Sequence, residues 1–299
     1  MSMHVFRKKR LGFNAIELVV VIFVVFILIG VVLVVLKIQR DSERRFGGTS
    51  SSGQTMNNLK QLSLATHSCQ DIFKRLPPAF DSFGQLKFPA SVHVHLLPYI
   101  EQDNLYKQYF EEEGKGQLVN EAIVPPFLCP RDITQSNDGK GFQNFAANLR
   151  VFSNKGMETK FDGNMPAPAG MEPGKASIPN SFPDGISNTI LFTTKYGNCQ
   201  NGGSRYVAAP DSPFAAFFGE NAAMVSAHPS DKTATFQAQP TADQCVITPL
   251  MAQSMSIGGL FVGMADGHVR MVSPDISPRT WNLAVQPNDG MQLGDDWGE

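Results

Sequence analysis

From Leu18 to Leu36 the chain runs for 19 residues without a charge or a proline, and every residue except Gly30 is strongly apolar. At about 1.5 Å rise per residue, such a stretch coiled as a helix matches the hydrocarbon thickness of a bilayer. An ordinary secretory signal has a shorter apolar core followed by a small-residue cleavage site. Here Lys37 and Arg40 follow the run, so it reads as a retained anchor. Four basic residues precede it (Arg7, Lys8, Lys9, Arg10), and Lys37, Arg40, Arg44 and Arg45 follow it. Charge asymmetry therefore sets orientation only weakly.

Between the basic cluster and the run lies Leu11-Gly12-Phe13-Asn14-Ala15-Ile16-Glu17. This order resembles the type IV prepilin signal of pilins and of the pseudopilins of secretion systems. The resemblance implies a cytoplasmic N-terminus, cleavage after Gly12, and N-methylation of Phe13 by a prepilin peptidase. It also implies that Glu17 pairs with the Phe13 amine of a neighbouring subunit. A carboxylate at the membrane edge is costly unless it finds a partner or reaches the headgroups; both readings of Glu17 stay open. The expected fold is α+β and pilin-like: a long N-terminal transmembrane helix and a mainly antiparallel β-sheet ectodomain. The expected divisions are a leader over 1–12, anchor and stem over 13–46, a Gly/Ser linker over 47–55, and an ectodomain over 56–299.

Without the leader the chain keeps 21 Lys+Arg against 27 Asp+Glu, a net charge of −6. That balance argues against nucleic acid, which needs basic surface for phosphates. Four cysteines (Cys69, Cys129, Cys199, Cys245) lie beyond the anchor, an even number consistent with disulfides in an exported domain. Cys69–Cys129 and Cys199–Cys245 are the favoured pairs because each closes a moderate loop; four unpaired thiols are the alternative. No Cys-x-x-Cys pair points to zinc or to a redox motif.

Met56, Leu59, Leu62, Ala65, Cys69 and Ile72 recur at three- and four-residue steps and predict a helix from near Thr55, stopped at Leu76-Pro77-Pro78. The stretch 91–102 fits strand or helix. Asp103 to Glu113 reads as helix, and 124–130 as extended chain punctuated by proline. Beyond Phe142, short apolar stretches alternate with turn residues: 142–152, 189–194, 206–209, 214–218 and 245–248 read as strands. Segments 153–181 and 226–243 read as surface loops. Two runs flanking Asp266-Gly267 predict a hairpin with a two-residue turn. Ser277-Pro278 is an N-cap followed by a first-turn proline, opening a helix.

Several stretches, in order, resemble the bacterial pilin-like family known as domain of unknown function 1559, abundant in planctomycetes. They are Asn57-Asn58-Leu59-Lys60, Leu96-Leu97-Pro98-Tyr99, Phe127-Leu128-Cys129-Pro130, Phe145-Ala146-Ala147-Asn148, Asp184-Gly185-Ile186-Ser187 and Ala265-Asp266-Gly267-His268. The family carries a cysteine just before the first stretch, where Met56 stands, and a histidine upstream of Asp266, where Ser256 stands.

A nucleophilic triad needs Ser or Cys beside an oriented His. None of His67, His93, His95, His228 and His268 sits in such a motif, and no catalytic residue or cofactor is expected. His93 and His95 could share one side of a strand, but no third metal ligand is suggested. No segment matches the EF-hand spacing; the pseudopilin resemblance leaves a calcium site among Asp289, Asp295 and Asp296 as a minor alternative. The expected role is a structural pilin- or pseudopilin-like subunit of an envelope filament or type II secretion-like apparatus, not an enzyme. Its partners would be the prepilin peptidase, like subunits and membrane lipid, with the ectodomain on the periplasmic or outer side of the cytoplasmic membrane. A membrane-tethered binding module for glycans or envelope partners is the alternative.

Overall fold

A computed structural model describes residues 51–113, 121–135, 141–152, 174–219, 235–241, 243–245 and 251–298. The first described helix, α1, covers 51–73, so residues 51–55, expected in the linker, are helical. Its buried face holds Leu59, Leu62, Ala65 and Cys69, together with Thr55, Ser63 and Thr66. Met56 and Ile72, expected on that face, are exposed. The helix ends at Lys74, whose φ of +57° breaks the helical path.

The chain then forms a short antiparallel ladder, β1 (Phe80–Asp81) with β2 (Ala90–Ser91), and enters helix α2 (Val92–Leu96). The ambiguous stretch is thus helical: Ser91 caps α2, and a 3-10 turn over Leu97–Ile100 follows. Helix α3 spans Asp103–Glu111. Pro125–Phe127 form a 3-10 turn rather than extended chain, because proline's fixed φ suits the first positions of a helical turn.

The main sheet is built from β3 (Phe145–Asn148), β4 (Ile190–Thr194), β7 (Phe217–Phe218), β10 (Leu260–Met264) and β11 (Val269–Val272), in the order β11-β10-β4-β3-β7. The pairs up to β3 are antiparallel, and β7 joins β3 in parallel. Two further ladders are β5 (Asn198–Cys199) with β6 (Gly202–Gly203), antiparallel, and β8 (Gln237–Ala238) with β9 (Gln253–Ser254), parallel. Strand β8 falls where a loop was expected. Residues 206–209, expected as strand, form turns, and Leu149–Phe152 leave β3 as a helical turn. The last helix covers Pro278–Val285, and the Ser277 side chain accepts from the Thr280 N–H as expected.

One face of the sheet and α1 enclose the larger apolar cluster; the other face packs under Trp281 and Trp297. Gly263 sets how closely α1 approaches β10. A Cβ there would lie 2.8 Å from Ser63 Oγ and 3.7 Å from Leu59 Cδ2.

The hairpin corrects its expected turn. Met264 O accepts from the Gly267 N–H, and Met264 N–H donates to His268 O at 2.9 Å, so the loop has three residues. Asp266 does not have positive φ, whereas Gly267 does at +91°. A mirror-image turn would need positive φ at both, so this is an ordinary turn closed by a glycine bulge.

The expectation of a pilin-like fold with a long transmembrane helix and an ectodomain made mainly of sheet is overturned, although most of the strand pairs are antiparallel as expected. Among the described residues no helix is long and apolar enough to cross a membrane, and the rest is mixed helix and sheet. Helix α1 is long enough, but Lys60 and Asp71 on its open side and Thr55, Asn58, Ser63 and Thr66 on its buried side leave it too polar to cross a membrane. The leader, Gly12, Phe13, Glu17 and the apolar run 18–36 lie outside the described residues.

Candidate functional site

The stretches that stood out in the sequence meet at polar junctions of the fold. Asn58 Nδ2 donates to Leu128 O at 2.8 Å, and Ala265 N–H donates to Thr189 O at 2.9 Å. His67 Nε2, on α1, lies 2.8 Å from Ala265 O and ties the helix to the hairpin tip. Asn148 Nδ2 donates to Ile190 O at 2.7 Å and to Val285 O at 2.8 Å, joining β3, β4 and the last helix. These side chains satisfy backbone carbonyls at turn, strand and helix ends that would otherwise be left open.

The densest junction is Asp132, which is buried. Its Oδ2 accepts from Asn144 Nδ2 at 2.6 Å and from the Gly197 N–H at 2.9 Å. Its Oδ1 accepts from the Thr134 N–H at 2.8 Å and from the Thr134 hydroxyl at 2.6 Å. Asp132→Ala strands these donors in the interior and should lower unfolding free energy by about 3 kcal/mol in chemical denaturation, with Asp132→Asn losing less. Equal stability of Asp132→Ala and the parent would refute this role.

Ser187, Asp266 and His268 meet at the hairpin tip. Burial disfavours the Asp266 anion, but hydrogen bonds from the His268 N–H, Ser187 and the His268 ring outweigh it and hold the carboxyl below the usual range. His268 Nδ1 is 2.6 Å from Asp266 Oδ1. The carboxylate, not the imidazole, stands beside the Ser187 hydroxyl, so the order of a Ser-His-Asp relay is not met and the trio is not a nucleophilic triad.

His93 and His95 do not share a face. Both lie on α2, where positions two apart point in different directions. His93 Nε2 donates to Phe145 O at 2.8 Å inside a cage of Phe127, Phe192 and Phe217. His95 Nε2 donates to Asp81 O at 2.9 Å. Burial pushes His93 down to about 3 and His95 down to about 4, so both are neutral structural donors. Among the described residues no group of three or more metal-ligating side chains occurs. Asp289 and Gly290 donate their N–H groups to Asp184, whereas Asp296 accepts from Ser277 and Thr280 at the last helix, so the acidic residues of the C-terminal segment serve different junctions.

Cys199 and Cys245 are joined by a disulfide, with Cα atoms 5.6 Å apart. Cys69 and Cys129 are buried free thiols. The favoured Cys69–Cys129 bond fails on distance. Cys129 Sγ lies 3.2 Å from Thr55 Oγ1, and Cys69 sits fourteen residues further along the same helix, about 21 Å away by helical rise. The Cys69 thiol instead hydrogen-bonds Tyr99, and burial pushes it up to about 12.

Among the described residues a cleft of about 280 Å³ lies between the end of α1, the turn after β1, and α2–α3. Phe73, Phe83, Tyr99, Tyr106 and Phe110 supply aromatic walls, and Asp103 and Lys107 form its polar rim. The Phe73 and Phe83 ring centroids are 4.6 Å apart, and the Phe83 and His95 centroids 5.3 Å. Gly84 allows this packing: its φ is +62°, and a Cβ would lie 2.9 Å from Phe73 Cζ. Burial, with the Cys69 thiol beside it, pushes Tyr99 up to about 12, and burial raises Tyr106, so both are neutral phenols. Sequence reasoning missed this site. Its signal was Asp103, Tyr106, Lys107 and Phe110, which share one face of α3 by their three- and four-residue spacing.

Fold and site together define a mixed helix-and-sheet domain whose recurring motifs are architectural and whose open chemistry is an aromatic cleft. The chain belongs to the family described as protein of unknown function (DUF1559), whose family model matches residues 53–279. No curated protein and no solved structure matches it.

Proposed function

We propose that the chain is a structural, pilin- or pseudopilin-like subunit of the cell envelope, cleaved after Gly12 and N-methylated at Phe13 by a prepilin peptidase. The observation that carries this reading is the order of Arg7–Arg10, Gly12-Phe13, Glu17 and the uncharged run 18–36. In it, the apolar run holds the subunit in the cytoplasmic membrane with the folded domain outside. Glu17 then offsets the new Phe13 amine of a like subunit when the segments pack side by side, where either charge alone is costly. Mass spectrometry should find N-methyl-Phe13 as the first residue. Glu17→Ala should be cleaved and inserted normally yet be missing from filaments sheared off cells. An intact leader in cells with active peptidase, or undiminished Glu17→Ala in sheared filaments, would count against the reading.

The aromatic cleft favours a second reading, a membrane-tethered module that binds glycans or envelope partners. A concave site with aromatic walls and a few placed polar groups is the usual form of a small-ligand site. Retention of insoluble envelope material by the full chain would support it.

A further inference from the structure

Resting on that second reading, we propose that the cleft binds a single pyranose ring of a neutral glycan. A sugar ring carries an apolar C–H face and a rim of hydroxyls that both donate and accept. Tyr106 and Phe110 stand one turn apart on α3, and Phe73 closes the cleft from the end of α1. Their aromatic faces carry partial negative charge and suit the weakly positive C–H face. At the rim, Lys107 Nζ is 2.5 Å from Asp103 Oδ2, with both side chains more than half exposed. The pair therefore offers an acceptor beside a donor. Adjacent ring hydroxyls match it, one donating to the carboxylate and the other accepting from the ammonium.

The same rim excludes other ligand classes. An anion would meet the Asp103 carboxylate and a cation the Lys107 ammonium. A wholly apolar ligand would strip water from both charges without replacing their hydrogen bonds. The neutral Tyr99 and Tyr106 phenols add hydrogen-bond partners without charge. A volume near 280 Å³ stands at the small end of ligand sites, which suits one ring better than an extended chain.

The test uses the full chain solubilised in a polyoxyethylene detergent, whose headgroup contains no sugar. The probes are the methyl glycosides of glucose, galactose, mannose and N-acetylglucosamine, read by saturation-transfer NMR. At least one should bind saturably, with the strongest transfer to protons on one ring face. Phe110→Ala and Asp103→Asn should each weaken that binding about tenfold or more. Melting should be unchanged because both side chains are exposed, and Phe110→Trp, which keeps an aromatic face, should retain binding. No saturable signal up to about 10 mM overturns the proposal. So does binding that survives both weakening variants undiminished. If insoluble envelope material is still retained in either of those cases, the tethered-module reading stands and only the sugar site falls. If it is not retained, both fall.

Discussion

Between pH 7 and pH 4.5 the folded domain should lose about 5 kcal/mol of unfolding free energy through two histidines alone. His93 and His95 are held near 3 and 4, mainly because burial disfavours the charged ring, against about 6.5 in an unfolded chain. In that window the unfolded chain binds protons that the folded domain refuses. Stability therefore rises with pH, is complete above about 6.5, and is lost as pH falls toward the folded values. The slope approaches 3 kcal/mol per pH unit for two protons, and the total rivals the whole stability of many domains. Backbone hydrogen bonds oppose the effect only partly, since one N–H on each ring already serves a carbonyl in the neutral form. On His93 the other ring nitrogen, Nδ1, is buried without a partner, so a proton added there would have no acceptor; on His95 the Ala90 and Asp81 carbonyls favour the charged ring but do not outweigh burial. Urea unfolding at several pH values should show the slope. His93→Gln and His95→Gln keep an amide donor without a titrating ring, and each should remove about half of it. A flat profile from pH 6.5 to 4.5, or an unchanged slope in both variants, would reject this account.

That outcome turns on a feature the sequence hid. Val92-His93-Val94-His95 alternates like a strand, yet Ser91 caps it as a helix and aromatic rings from distant segments close around His93. Alternation reports which residues are apolar, whereas the helix follows from the cap and from packing partners far along the chain. Local signals fared better where the chemistry is local. Ser277-Pro278 opened a helix because capping needs only the next three residues. The Asp266-Gly267 turn was legible as a hairpin but not in its length. Both turn types use a glycine with positive φ, and only the cross-strand register distinguishes them.

The candidate cleft was illegible for a different reason. Its walls come from residues 73, 83, 99, 106 and 110, which fall in four separate elements, and only the α3 face is periodic in the sequence. The order of motifs was visible, but their role was not. Asn58, Asn148 and Asp132 satisfy backbone groups on segments far from them in sequence, and such long-range hydrogen bonds leave no local pattern.

Replacing Thr55 with cysteine should create a disulfide to Cys129 and stabilise the domain by up to about 4 kcal/mol. Met56 stands where a cysteine was expected from the family resemblance, but its side chain is exposed, and the residue facing Cys129 is Thr55, one position earlier. Thr55 Oγ1 and Cys129 Sγ are 3.2 Å apart, so a sulfur at the Oγ1 position needs to move only about 1 Å to reach bonding distance. The new bond would close a loop between residues 74 apart, which removes considerable freedom from the unfolded chain. The cost is the hydrogen bond from the Thr55 hydroxyl to Ser51 O, about 1 kcal/mol. For a domain of this size the net gain corresponds to a rise of roughly 10 °C in melting temperature under oxidising conditions, abolished by reductant. Thiol counting makes the result unambiguous. The parent should show two free thiols after denaturation without reductant, Cys69 and Cys129. Thr55→Cys should show only Cys69, despite carrying an additional cysteine. Three labelled thiols in the oxidised variant would mean that Thr55 and Cys129 do not face each other as described.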